Sequence, residues 1–218
     1  MTSFEKKKFY SDTLSAETAV MAYLDLSNIF HWQEKIGWNF RLEDMIRQLL
    51  AIPSMKEVKV YYGLDERKFK ESFAFHRRIR AAGAILRTKP VKYIKKTINE
   101  ALFFKQSTIS LFSGNVTSKI YELIKELKKS GIIIEEPKCN FDVEIAMDMI
   151  DDTERISAAL LYSGDSDLAA PLQRLKLKGK KVYVVGVRGS ISGELQKVKD
   201  HYIDFGQFYE GKKRYLKP

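Results

Sequence analysis

Short apolar runs alternate with stretches of helical spacing along nearly the whole of this chain, and that alternation constrains the fold more than any other feature. The runs at 19–24, 58–62, 84–87, 132–134, 157–162, 182–187 and 202–205 have the length and residue content of buried strands. Between them, residues 41–50 set Leu42, Met45, Ile46, Leu49 and Leu50 at helical spacing ahead of Pro53. Residues 66–82 read as a basic helix with Phe69, Phe73 and Ile79 on its inner face, ended by Gly83. Residues 118–129 carry Ile120, Leu123, Ile124 and Leu127 at helical spacing before Gly131, a helix-stop signal. Residues 142–151 and 172–178 are further helices, and Ser192 is suited to cap a short one. Such alternation predicts an α/β fold: three layers, α/β/α, around a mostly parallel central sheet. Sites in such folds lie beyond the carboxyl ends of the strands.

One stretch breaks the pattern. Residues 88–115 mix lysines, aromatics and β-branched residues without a clean period and are expected to form an insertion or a hairpin at the domain edge. The reading is therefore one domain over 18–206, an N-terminal extension over 1–17 and a basic tail over 207–218, expected to be mobile. A hydrophobic content of 44% supports a packed core. No apolar run approaches the ~20 residues of a membrane span, and no apolar segment follows the N-terminal lysines as a signal peptide requires. The one cysteine, Cys139, excludes an internal disulfide and favours a reducing compartment. A soluble, cytoplasmic protein with no membrane partner is expected. The net charge of +10 favours a polyanionic partner, with a solubilising basic surface as the other reading.

Acids gather where the predicted strands end. Asp25 follows the first strand, in LDLSN; Asp165 and Asp167 follow SAALLY, in SGDSD; Asp142 opens a helix, in NFDVEIAMDMI. In a parallel sheet the first two groups share one edge, and the start of the helix bearing Asp142 could face them. Crowded carboxylates repel and call for cations. Mg²⁺ and Mn²⁺, hard ions that prefer oxygen ligands, suit such a set, and a metal so placed serves phosphodiester hydrolysis. Taken singly, each acid also reads as a turn or helix cap; convergence of all of them at strand ends does not follow from capping. Asn28, one turn beyond Asp25, could bind a metal-bound water or a phosphate, or form the turn. Asp148, six residues after Asp142, falls on another face of its helix. The histidines are scattered, and there is no zinc spacing, phosphate loop or nucleophile elbow. A phosphotransferase of the haloacid dehalogenase kind needs a second acid two positions after the first, where this chain has Ser27.

The runs LDLSN, FDVEIAMDMI and LLYSGDSDLAAPLQRLKLKGKKVYVVG, in that order, resemble the NYN domain (the LabA-like, or DUF88, group), part of the PIN-like, flap-nuclease-related fold. The resemblance extends through Ser192, Leu195, Asp200 and Ile203 and is weakest over 88–130. It implies a metal-dependent ribonuclease with Mg²⁺ or Mn²⁺. Asp25 would be the metal ligand of the first strand and Asn28 its companion. Asp142 would be the acid of the middle helix, and Asp165 and Asp167 would complete the cluster. Ser163 would orient a carboxylate or a phosphate. The approach to the middle acid, Lys138-Cys139-Asn140-Phe141-Asp142, is one residue longer than the family's usual pattern, and Leu168 stands where an aromatic residue is common. For the substrate, single-stranded or structured RNA, the cations Arg77, Arg78, Lys92, Lys95, Lys96 and Arg174 are candidate contacts. The competing reading is a PIN-like module that binds RNA or a protein without cutting, and a homodimer is compatible with the aromatics near 88–115.

Overall fold

The computed structural model describes residues 12–36, 38–97, 119, 122, 123, 125, 126, 129, 131, 133–205 and 212–213. Strand β1 (Val20–Asp25) is buried at every position, as a run apolar on both faces must be in the middle of a parallel sheet. It lies between β3 (Met55–Tyr61) and β7 (Ala158–Tyr162), parallel to both. Strand β4 (Ile85–Arg87) extends the sheet beyond β3, while β8 (Lys181–Gly186) and β9 (His201–Asp204) extend it beyond β7. The six-stranded order is β4-β3-β1-β7-β8-β9, all parallel. The chain builds outward from β1 to one side and then returns to build outward on the other. This is the doubly wound arrangement, with its switch point between β1 and β7.

Alternation along the strands divides the core. Ala22, Leu24, Val58, Val60, Leu160 and Val185 share one cluster with α1 (Leu26–Ile36), α2 (Leu42–Leu50) and α3 (Phe69–Ala81), through Ile29, Trp32, Met45, Leu49 and Ile79. On the opposite face, Tyr23, Lys59 and Tyr61 meet α4 (Asp142–Asp151), and α5 (Ala169–Leu177) packs on α4, on β8 and on α6 (Gly193–Val198). The three-layer α/β/α expectation is met. Ser192 caps α6 by accepting from the Leu195 amide at 3.3 Å, and a short 3₁₀ turn (Ser166–Leu168) precedes α5.

The face under α4 is polar. Lys59, 3% exposed, donates to Asp152 at 2.5 Å and stands 3.5 Å from Asp148. Tyr23 donates to Asp152 at 2.9 Å and Tyr61 to Asp148 at 2.7 Å, and Arg87 grips both Asp148 oxygens, at 2.9 and 2.7 Å. Burial pushes the Asp148 carboxyl up, but Arg87, Tyr61 and Lys59 outweigh it and hold the group below its ordinary value. Buried charges persist only when paired in this way. Asp148 is thus a fastening of α4 to the sheet.

Several expectations need correction. Helix α1 was not foreseen, although it follows directly from the first strand. Phe69 and Phe73, expected on the inner face of α3, are 52% and 53% exposed; the inner face is made by Phe75, His76 and Ile79. The strand expected at 132–134 is β6 (Ile133–Lys138), exposed throughout and paired antiparallel with β5 (Lys92–Thr97), not with the central sheet. Both belong to a second compact unit, 91–139, distinct from the unit formed by 1–90 and 140–218. The helix expected over 118–129 and most of 88–115 lie outside the described residues. In the N-terminal extension, Leu14 is fully buried and its carbonyl accepts from Ser54 at 2.6 Å. In the tail, the described pair β10 (Lys212–Lys213) runs antiparallel to β2 (Trp38–Asn39).

Candidate active site

Parallel register sets Leu24 beside Tyr162, so the next residues, Asp25 and Ser163, emerge side by side at the carboxyl edge. From there the two chains part: α1 goes to one face of the sheet and α5 to the other. In open α/β sheets such a divergence marks the switch point where ligands bind. The Asp25 carboxylate, 8% exposed, is held from several directions. Its Oδ1 accepts from the Ser27 amide at 3.0 Å, and its Oδ2 accepts from the Asn28 side chain at 2.6 Å and from the Ser163 hydroxyl at 3.3 Å. Asn28 also accepts from the Gly164 amide at 3.2 Å, and Ser163 accepts from the Asp165 amide at 3.2 Å. Asn28 and Ser163 therefore tie the first acid to the loop that carries the next two. Gly164 cannot be another residue without displacement, since an added Cβ would lie 2.0 Å from the Ser190 carbonyl oxygen.

Burial pushes the Asp25 carboxyl up, opposed by the hydrogen bonds from Asn28, Ser163 and Ser27. Asp142 is the first residue of α4, where a carboxylate is favoured by the helix dipole. Its side chain does not cap the helix; it accepts from Asn140 at 2.5 Å. Burial raises Asp142 as well, against the bond from Asn140, and the charges of Asp165, Asp25 and Asp167 raise it further. Asp142 thus lies within electrostatic reach of the other three acids. Asp165 accepts from the Asp167 amide at 3.1 Å, which shapes the 3₁₀ turn and leaves Asp167 exposed. Among the described residues none of the four forms an ion pair, whereas Glu43, Glu144, Asp148 and Asp152 all do. Also among the described residues, no three acidic, histidine or cysteine side chains are close enough to enclose an ion unaided.

A family model described as the NYN domain matches residues 19–206. The chain belongs to the NYN domain family. It is 24% identical over 182 residues to the "Low amplitude and bright protein LabA" of Synechococcus elongatus, covering 84% of this chain and 81% of that one. The fold is similar to the crystal structure of a protein of unknown function from Vibrio parahaemolyticus, with a TM-score of 0.58 at 19% identity, covering 88% of this chain and 96% of that one. The family places the NYN domain of this chain in the PIN-like nuclease superfamily. Among the described residues no helix is long and apolar enough to cross a membrane.

Within this NYN domain, Asp25, Asn28, Asp142, Ser163, Asp165 and Asp167 gather at one edge of the sheet. Ser163 is wholly buried and spends its hydroxyl on Asp25 and Asp165, so it positions carboxylates and has no surface for a phosphate. The candidate cations are divided between the two units. Arg77 and Arg174 are exposed on α3 and α5, but Arg78 is paired with Glu43 at 2.8 Å. In the second unit Lys92 and Lys95 are exposed on β5, and Lys96 is paired with Glu136. Asn140 escaped the sequence reading as a site residue. Its signal is an Asx pattern, in which its Oδ1 accepts from the Asp142 amide at 2.7 Å while its amide group holds the Asp142 carboxylate.

Proposed function

We propose that this NYN domain is a metal-dependent ribonuclease that hydrolyses RNA phosphodiester bonds, with Mg²⁺ or Mn²⁺ as its cofactor. The observation that carries the reading is a set of four carboxylates at the switch point of the sheet, three of them acting on the charge of Asp142, with no ion pair to any of the four among the described residues. Glu43, Glu144, Asp148 and Asp152, by contrast, each pair with a lysine or an arginine.

The donor set fits a hard divalent ion. Every candidate ligand is a carboxylate oxygen, and Mg²⁺ retains several waters and takes one or two protein carboxylates plus substrate phosphate. Such a site does not need three protein ligands closed around one point. Asp25, Asp142, Asp165 and Asp167 would hold the ion. When bound, it would supply an activated water and charge neutralisation at the phosphate. The chain's own residues do the positioning. Asn28 and Ser163 fix the Asp25 carboxylate, Asn140 fixes that of Asp142, and the Gly164 loop sets the spacing of Asp165 to both. Burial disfavours ionised Asp25 and Asp142, and a bound cation would offset that cost.

The test is cleavage of labelled RNA by purified protein with Mg²⁺, with Mn²⁺ and with chelator, beside Asp25→Asn and Asp165→Asn. Cleavage is expected to require metal and to be lost in both variants, with unfolding curves still cooperative. Cleavage retained in both variants would sink the site assignment. RNA bound without turnover under every condition would leave the non-cleaving module instead.

A further inference from the structure

Helix α3 keeps two phenyl rings out of the core. Phe69 and Phe73, one turn apart, are about half exposed and lie ring on ring, with centroids 5.8 Å apart and planes 17° apart. Phe75 and Ile79, on the same helix, supply its packing instead. Around the ring pair the helix is cationic. Arg77 and Arg80 follow Phe73 by one and two turns and Lys70 precedes it; all three are exposed, and none has a carboxylate partner among the described residues. At 100° per residue, Glu71 falls on the far side of the helix from both rings.

The location matters as much as the chemistry. Strand β3 ends at Tyr61, paired with Asp25, and after residues 62–68 the helix opens at Phe69. The ring pair therefore stands on the first turns of a helix that starts from the carboxyl edge where the acids gather.

We propose that Phe69 and Phe73 form a stacking platform for the bases of single-stranded RNA, with Lys70, Arg77 and Arg80 holding its phosphates on the way to the acid cluster. The destination of the strand rests on the nuclease reading; the binding does not. Aromatic faces flanked by cations hold unpaired bases with little regard to sequence, because every base has a π-face. Bases within a duplex are already stacked and have no face to offer, so the platform selects single strands.

The experiment is fluorescence anisotropy on the full chain, with chelator present to prevent cutting. The probes are a short oligoadenylate and a duplex of the same length. The variants are Phe69→Ala/Phe73→Ala, Phe69→Leu/Phe73→Leu, Phe69→Tyr/Phe73→Tyr and Arg77→Ala/Arg80→Ala. The Ala and Leu pairs are expected to lose roughly tenfold or more in single-strand affinity, with duplex binding and the salt slope unchanged. The Tyr pair keeps its affinity, and the Arg variant flattens the salt slope by about one to two phosphate contacts. Single-strand binding unchanged in the Ala and Leu pairs overturns the platform. So does an equal loss on duplex, or binding kept by Leu and lost by Ala, which would mark an apolar protein contact. Metal-supported cleavage by the native protein, measured in parallel, separates the two ideas. Phenylalanine-dependent binding without cleavage refutes the nuclease reading alone, and cleavage with phenylalanine-independent binding refutes the platform alone.

Discussion

Removing one buried hydroxyl tests how the acids are held. In Ser163→Ala, Asp25 loses the donor at 3.3 Å and the Asp165 amide loses its acceptor at 3.2 Å, at a site with no exposure. A hydrogen bond to a charged group contributes ~1.5–3 kcal/mol and a neutral one about 1 kcal/mol. Because both bonds are long, the lower ends apply, and the expected loss is roughly 2–3 kcal/mol. For a domain of this size that lowers Tm by about 4–12 °C. The loss should depend on pH. The Asp25 carboxyl is raised in the folded state by burial, with the Ser163 bond among those opposing the rise. Without Ser163 it rises further. A carboxyl raised on folding takes up its proton in the native state first, so as pH falls through that range the native state gains relative to the unfolded one. The deficit of Ser163→Ala is therefore greatest at neutral pH and shrinks as Asp25 becomes protonated. Urea unfolding at neutral pH and in the acid range reads this directly, with the Asp25 carboxyl followed by NMR titration. A deficit that stays constant across that range, with an unchanged Asp25 titration, would refute the idea that Ser163 supports the ionised carboxylate.

Two other perturbations follow from the same geometry. Lys59→Met removes the 2.5 Å partner of Asp152, which keeps Tyr23 at 2.9 Å and Arg155 at 3.2 Å, and weakens the hold on Asp148, which should cost about 1.5–3 kcal/mol in urea unfolding; a loss under 1 kcal/mol would mean that the network is open to water. Because Asp148 is held below its ordinary value in the fold, its contribution is present above the unfolded carboxylate range and is lost as pH falls through the folded value. Asp142→Asn removes a charge that burial and then Asp165, Asp25 and Asp167 disfavour, so the metal-free protein should gain up to about 1 kcal/mol at neutral pH. Added Mg²⁺ or Mn²⁺ should raise the Tm of this variant less than that of the native chain; an equal rise would remove Asp142 from the metal set.

Much of the architecture was legible along the chain, for a physical reason. Strands buried on both faces must be apolar almost throughout, so 19–24, 157–162 and 182–187 declare themselves. Asp25, Ser163, Asp165 and Asp167 were equally visible, because a parallel sheet sends the residues after its strands to a single edge, whereas Asn28 and Asp142 stood out by their place in the runs LDLSN and FDVEIAMDMI. Helix α1 was harder to see. Its polar positions and its aromatics, Phe30 and Trp32, blur the helical period, and it starts without a break from β1. Exposure along α3 does not follow from the helical period, which identifies a stripe but not its edge: Phe69 and Phe73 lie beside the buried arc, and contact with β4 and α2 decides which side turns inward.

The local pattern by itself determined the α/β class, the parallel sheet and the short list of acids, because periodicity and strand-end position are properties of neighbouring residues. Only the tertiary structure decided which polar groups are matched. Asp148 is held by Arg87, Tyr61 and Lys59, while Asp142, on the same helix, has no cation partner among the described residues and feels the charges of three other acids. It also assigned β6 to an antiparallel pair and not to the central sheet. The partners in each case lie far apart along the chain, and pairing between them depends on strand order and on the face each side chain takes, which no local period specifies.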